Sequence, residues 1–285
     1  MTDTVLERLR ARRAALGAPL CVGIDPHPDA LPDELPRDVG GIETFARGLI
    51  EATADEATAV KINVAFFEAF GAKGWAALER VRREVPAAIV CILDAKRGDI
   101  GSTAERYAAG LLGALDADAV TLSPYLGEDA IEPFLAVPDR LVYLLARTSN
   151  PSAGRLQGLL ADGQPIHLRV ARWAAGRWSD GRVGLVVGAT EPEELRRVRE
   201  AVPGPGFLVP GVGAQGGDLE AAVRNADGEW APGLVAVSRA IAGVSRGADW
   251  RSAAASAARE LRHRMAEAVL HSIASPAHSV SNGGS

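Results

Sequence analysis

Short apolar runs alternate with longer segments of helical period along most of this chain. The runs Leu20–Ile24, Ala59–Ile62, Ala88–Leu93, Ala119–Leu122, Leu141–Ala146, Val183–Val187, Phe207–Val209 and Leu234–Val237 are almost continuously apolar. Strands that face solvent on one side would alternate instead, so the pattern predicts strands covered on both faces of a parallel sheet. Between the runs, the spacing of apolar positions predicts helices over Ile42–Ala57, Trp75–Glu84, Ser102–Leu115, Ala130–Leu135, Pro165–Trp178, Pro192–Glu200 and Asp218–Asn225. A final helix is expected over Trp250–Leu270, with Asp249 placed to cap it. The charged, amphipathic start, Thr4-Val5-Leu6-Glu7-Arg8-Leu9-Arg10, reads as an extra helix ahead of the first strand.

Eight strand–helix units in about 250 residues predict the α/β class and a (β/α)8, or TIM, barrel. A doubly wound open sheet is the alternative, and it would normally carry a glycine fingerprint after its first strand. The segment Gly23-Ile24-Asp25-Pro26-His27-Pro28 has none. No linker divides the chain, so residues 1–271 are expected to form one barrel domain. Residues 272–285, rich in Ser, Gly, Asn, Pro and Ala, are expected to be a disordered tail.

Composition narrows the function classes. A chain of 285 residues hides roughly 75% of its unfolded surface, enough for one large core. A net charge of −5 without a long basic run argues against nucleic acid as the main partner. No stretch reaches the ~18 uncharged apolar residues of a membrane span, and the start lacks the apolar core of a signal peptide. Cys21 and Cys91 both lie inside apolar runs, as buried thiols of a reducing compartment would. The five histidines form no metal-ligand spacing, so no metal is expected. These features together predict a cytoplasmic protein.

Barrel active sites are built at the carboxyl ends of the strands, and the polar residues of this chain gather there. Strand one ends in Asp25, strand two in Lys61-Ile62-Asn63, strand three in Asp94-Ala95-Lys96 and strand four in Ser123-Pro124-Tyr125. Strand five runs out into Arg147-Thr148-Ser149-Asn150, and strand eight ends in Ser238-Arg239. Of the 31 basic residues only Lys61, Lys73 and Lys96 are lysine. Arginine is a poor proton donor, whereas a lysine ammonium gives up its proton readily, so proton transfer at Lys96 is favoured. Asp94 and Lys96 are two apart and would share one face of a strand. Asp99 precedes a helix whose N-terminus would stabilise its carboxylate.

A lone Asp-x-Lys reads most simply as a salt bridge that closes the barrel. What shifts the reading is its company: Lys61, Asp25, and the glycine-rich turn Gly211-Val212-Gly213-Ala214-Gln215-Gly216-Gly217 after strand seven. Glycines there let backbone N–H groups approach an anion, and phosphate sites are common after strands seven and eight of barrels. Arg239 would supply a bidentate partner. Pro210 and Gln215 flank the turn and would close over a ligand, and Ser149 is placed to hydrogen-bond a planar amide. Trp173 and Trp178 read as packing.

Taken together, these residues resemble the orotidine 5′-phosphate decarboxylase family, in its longer bacterial branch. The resemblance runs from Asp25 to Arg239 and rests on Asp94-Ala95-Lys96-Arg97-Gly98-Asp99-Ile100, which fits that family's D-x-K-x-x-D-I pattern. Val60-Lys61-Ile62-Asn63, Thr148-Ser149-Asn150-Pro151, the Pro210–Gly217 turn and Val237-Ser238-Arg239 support it. It implies a carboxy-lyase that turns orotidine 5′-phosphate into UMP and CO2 in pyrimidine biosynthesis, without cofactor or metal. Lys96 would stabilise and protonate the C6 carbanion within a charged network of Lys61, Asp94 and Asp99. Asp25 and Lys61 would bind ribose hydroxyls and Ser149 the pyrimidine. Gln215 would bridge base and phosphate, and Arg239 with Gly213 and its turn would hold the phosphate; Ile100, Thr103 and Pro210 complete the implied binding set. The resemblance further implies a homodimer in which Asp99 and Thr103 act in the neighbouring subunit's site. Two rivals stay open. One is the related Mg²⁺-dependent branch of phosphosugar decarboxylases and aldolases, which would carry Glu where this chain has Lys61. The other is a phosphate-binding barrel without catalysis.

Overall fold

The computed structural model describes residues 3–213 and 216–274. Every expected strand forms: β1 (Leu20–Ile24), β2 (Ala59–Asn63), β3 (Val90–Arg97), β4 (Ala119–Leu122), β5 (Leu141–Arg147), β6 (Val183–Val187), β7 (Phe207–Pro210) and β8 (Leu234–Val237). Each pairs in parallel with its neighbours in chain order, and β8 pairs with β1 to close the barrel. Closure leaves no edge strand, and the helices outside cover what the apolar runs would otherwise expose. The open doubly wound sheet is therefore excluded.

The helices are α1 (Val5–Leu16), α2 (Val39–Thr53), α3 (Ala65–Glu68), α4 (Gly71–Arg83), α5 (Gly101–Ala108), α6 (Glu132–Leu135), α7 (Gly154–Gln157), α8 (Ile166–Arg177), α9 (Pro192–Ala201), α10 (Leu219–Ala226), α11 (Arg239–Ala242) and α12 (Trp250–Ala274). Side-chain caps fix several starts. Thr4 and Glu7 form a reciprocal capping box on α1, Asp38 accepts from the N–H groups of Gly40 and Gly41, and Asp218 accepts from that of Ala221.

Several expectations needed correction. The segment Ser102–Leu115 is not one α-helix, because α5 gives way at Ala109–Ala114 to a π-helical turn in which Leu115 N–H bonds Gly110 C=O at 3.0 Å. Gly110 and Gly113 present no Cβ to resist that widening. Asp249 stands at the N-cap position of α12 as expected, its C=O accepting from Ala253 N–H at 2.9 Å, but its carboxylate accepts from the Ser245 hydroxyl at 2.6 Å. That helix continues to Ala274, three residues into the expected tail, and Ser272 Oγ donates to Val269 C=O. Residues 275–285 lie outside the described residues. The short α3, α7 and α11 and a hairpin pairing Leu160–Ala161 with Gln164–Pro165 carry too few residues to show a period.

Two apolar layers hold the barrel. One lies between strands and helices, where Trp250 packs against Phe45 with ring centroids 5.1 Å apart and Trp173 meets Trp178 edge-on. The other fills the interior with Cys21, Ala59, Val90, Ile92, Ala119, Tyr143, Val186, Leu208 and Leu234, and α1 plugs its lower end with Val5 and Leu9. Full burial of Leu9 contributes roughly 1.5–3 kcal/mol, which is what makes the extra helix integral to the barrel.

Cys21 and Cys91 are both free and buried, and burial pushes each thiol up to about 12. Almost no thiolate exists at pH 8, so iodoacetamide is expected to leave the native protein unlabelled and to modify both thiols once guanidinium unfolds it. Rapid labelling under native conditions would contradict the packed interior.

Candidate active site

The interior parity of the strands carries straight into the site. Cys21 and Gly23 lead to Asp25, Ala59 to Lys61, Val90 and Ile92 to Asp94, Ala119 to Thr121, Leu208 to Pro210, and Leu234 and Ala236 to Ser238. Asp25, Lys61, Asp94, Thr121, Pro210 and Ser238 each line one of two adjoining cavities at the carboxyl end of the barrel. The larger, of about 450 Å³, is walled by Lys61, Asp94, Lys96, Thr121, Thr148, Ser149, Asn150, Gln157 and Pro210, with Leu145, Val186 and Leu208 as its apolar floor. The smaller, of about 110 Å³, lies between Asp25, Gly211, Val212, Ser238 and Arg239.

At the centre one carboxylate joins two ammonium groups. Asp94 Oδ2 accepts from Lys61 Nζ at 2.8 Å, and Oδ1 accepts from Lys96 Nζ at 2.5 Å and from Thr121 Oγ1 at 2.9 Å. Burial alone would raise the Asp94 carboxyl, but the two ammonium groups overcome it and hold the group well below the usual carboxylate range. Burial would likewise lower Lys61; the carboxylates of Asp94 and Asp25 instead hold it above the usual lysine range. Both groups are therefore charged at neutral pH. Lys61 Nζ also lies 3.9 Å from Asp25 Oδ1, a buried oxygen with no hydrogen-bond partner among the described residues. That oxygen suits a hydroxyl donor, as the ribose reading requires.

Lys96 reaches the site by an unforeseen route. The pairing of β3 with β4 slips between Leu93 and Arg97, and Lys96 has φ of +47°. Simple alternation from Asp94 therefore fails there, although the side chain still arrives beside Asp94. A non-glycine residue in the left-handed region costs roughly 1–2 kcal/mol. The Lys96 N–H bond to Thr121 Oγ1, at 3.0 Å, and the Asp94 contact offset that strain. Strain of this kind concentrates where a side chain must be aimed. The Lys96 side chain is half exposed at the cavity wall, whereas Lys61 is buried. One lysine is a fixed structural charge and the other has access to ligand and solvent.

At the second cavity, Gly211 and Gly213 take φ of +100° and +82°, which only glycine adopts without strain. Gly217 N–H closes back on Gly211 C=O at 3.1 Å. Arg239 opens the short α11, is exposed, and makes no ion pair with the described residues. The arrangement offers backbone N–H groups and a guanidinium to an anion. The expected role of Gln215 lies outside the described residues.

Ser149 and Pro210 line the larger cavity, as anticipated. Asp99, Ile100 and Thr103 do not line either cavity. The Asp99 carboxylate accepts from Ile100 N–H and forms no ion pair with Lys96 in this chain. Ile100 is 60% exposed and Thr103 is exposed on α5. Sequence reasoning missed Thr121 and Gln157. A lone hydroxyl at interior parity in Ala119-Val120-Thr121-Leu122 was the available sign of the first. Among the described residues, no three His, Cys, Asp or Glu side chains are grouped to hold a metal ion.

Known proteins share this fold and much of this sequence. The profile described as the orotidine 5′-phosphate decarboxylase / HUMPS family matches residues 18–254. An orotidine 5′-phosphate decarboxylase from Roseiflexus castenholzii is 55% identical over 246 residues, 85% of this chain and 90% of that protein. One from Roseiflexus sp. is 49% identical over 94% of this chain and 98% of its own length. The solved OMP decarboxylase of Leishmania donovani superposes with a TM-score of 0.81 at 40% identity, covering 94% of this chain and 99% of that one. A barrel with this charged cluster, matched over nearly its whole length at such identity, belongs to the orotidine 5′-phosphate decarboxylase / HUMPS family.

Proposed function

We propose that this protein removes CO2 from orotidine 5′-phosphate to form UMP, the step of pyrimidine biosynthesis for which its relatives are named. The observation that carries the reading is an ammonium, Lys96, held by a buried, ionised Asp94 at the wall of a cavity sized for a pyrimidine nucleoside, next to a glycine turn and Arg239. Breaking the C6–carboxylate bond leaves its electron pair in an in-plane sp² orbital that the ring carbonyls cannot delocalise. The site must stabilise that charge itself, and a preorganised ammonium is the direct means. Lys96 then transfers a proton to C6, giving UMP, and the resulting amine regains a proton from solvent through its exposed side.

Asp25 and Lys61 take the ribose hydroxyls, Ser149 the pyrimidine, and Arg239 with the Gly211–Gly213 turn the phosphate. Binding energy from that phosphate, remote from C6, holds the ring against Lys96. Asp99 and Thr103 act in the partner's site of a homodimer. In support, Ile100, Leu126 and Tyr125 form an exposed apolar surface around the loop that carries Asp99, with Leu126 packed near Gly98. No helix among the described residues is long and apolar enough to cross a membrane, in keeping with a cytoplasmic enzyme.

The test is direct. Purified protein mixed with orotidine 5′-phosphate should bleach the orotate absorbance band, and the same rate is expected in EDTA. Binding without spectral change would favour a non-catalytic barrel, and loss of activity with EDTA would favour the metal-dependent branch.

A further inference from the structure

The loop after β5 presents Ser149 to the larger cavity, and the polar groups around it are committed in an unusual way. Thr148, the preceding residue, has none to spare. Its N–H donates to Gln157 Oε1 at 2.9 Å, and its C=O accepts from Arg147 Nη1 at 2.9 Å. Its hydroxyl accepts from Gln157 Nε2 at 2.8 Å while donating to Asn150 Oδ1 at 2.6 Å. Ser149, by contrast, makes no hydrogen bond with the described residues. One glutamine side chain thus ties down both the backbone and the hydroxyl of Thr148, leaving Ser149, which lines the cavity, with its hydrogen-bonding groups unengaged by the described residues.

Gln157 is itself held in place. It ends the short α7, and its C=O accepts from Nδ1 of His167, a buried side chain of α8, at 2.9 Å. Arg147 is paired with Glu194 of α9, so the guanidinium that grips the Thr148 carbonyl is anchored too. On the other side of the loop stands Gly188, just past β6. A Cβ there would lie 3.1 Å from Ser149 Cβ and 3.2 Å from Ser149 N. Ser149 is therefore clamped from two sides, by Gln157 through Thr148 and by the bare backbone of Gly188.

We propose that Gln157 is a positioning residue for base recognition, holding Ser149 in register with the pyrimidine, and that Gly188 is its counterpart on the opposite side. This rests on the assignment of the larger cavity to the pyrimidine. Gln157 acts through Thr148 and leaves the phosphate end alone, since the glycine turn and Arg239 belong to β7 and β8. Its signature is a loss confined to ligands that carry a base.

The experiment compares two ligands on the full-length protein by isothermal titration calorimetry: UMP, and ribose 5-phosphate, which has the same phosphate arm without a base. Gln157→Ala removes both bonds to Thr148, and UMP affinity is expected to fall about tenfold. Ribose 5-phosphate affinity and the thermal midpoint should not change, and KM should rise more than kcat falls. Gly188→Ala, which pushes the same loop from the opposite side without touching Gln157, should reproduce the base-selective loss. Equal weakening of both ligands, or of neither, in a wild type that prefers UMP overturns the proposal alone. A wild type that binds ribose 5-phosphate as tightly as UMP overturns the base-site assignment, and the proposal with it.

Discussion

Lys96→Ala should fold as the parent does and lose on the order of 10⁴- to 10⁷-fold in kcat/KM. The figure combines two effects removed together, proton transfer and electrostatic stabilisation of the carbanion. Stability should change little, because the side chain is half exposed and Asp94 keeps Lys61 and Thr121 as partners. UMP should still bind, since the groups assigned to its phosphate and ribose remain. The same variant tests the assembly. Mixed with Asp99→Ala subunits, Lys96→Ala subunits should recover activity, because a mixed dimer contains one site with both groups intact. A Lys96→Ala protein turning over near the parental rate would end the mechanism. Failure of the mixture to recover activity would end only the shared site.

The largest loss of stability is expected far from the chemistry. Asp118 lies at the amino end of β4, the opposite end of the barrel, with its side chain almost wholly buried. Its carboxylate accepts from Cys91 N–H at 2.8 Å and pairs with Arg8 of α1, while Arg82 and Arg140 approach to 3.8 and 3.9 Å. Asp118→Ala would leave a buried N–H unsatisfied and Arg8 without its carboxylate, with Asp116 alone remaining to pair Arg82 and Arg140. Breaking such a cluster from one side costs about 3–5 kcal/mol. For a chain of this size that lowers Tm by roughly 10 °C. Differential scanning calorimetry reads the shift, and kcat below the transition should be preserved. An unchanged Tm would mean that Asp118 is not the keystone connecting α1 to the barrel floor.

These two residues show how unevenly the molecule was written in its sequence. Lys96 stood out because a chain that otherwise uses arginine kept lysine at two strand ends, a chemical choice visible without coordinates. Asp118 gave no such sign: Leu115-Asp116-Ala117-Asp118-Ala119 reads as an ordinary polar turn, and three arginines 22 to 110 positions away converge on it only in the folded barrel. Gln157 was hidden for the same reason. Its partner Thr148 is nine residues away, across a turn and a helix too short to show a period.

The order of the eight barrel strands, the closed parallel barrel, and the gathering of Asp25, Lys61, Asp94, Lys96, Ser149 and Arg239 at one rim followed from the residues alone. Apolar runs covered on both faces admit few sheets, and strand ends in a barrel share one side. The left-handed turn that aims Lys96, the Thr121 bridge beneath it, the turn of Asp99 away from its own site and the clamp around Ser149 were decided only by tertiary structure. Each depends on the register and spacing of strands distant in sequence, to a few tenths of an ångström, and neither periodicity nor composition encodes distances of that kind.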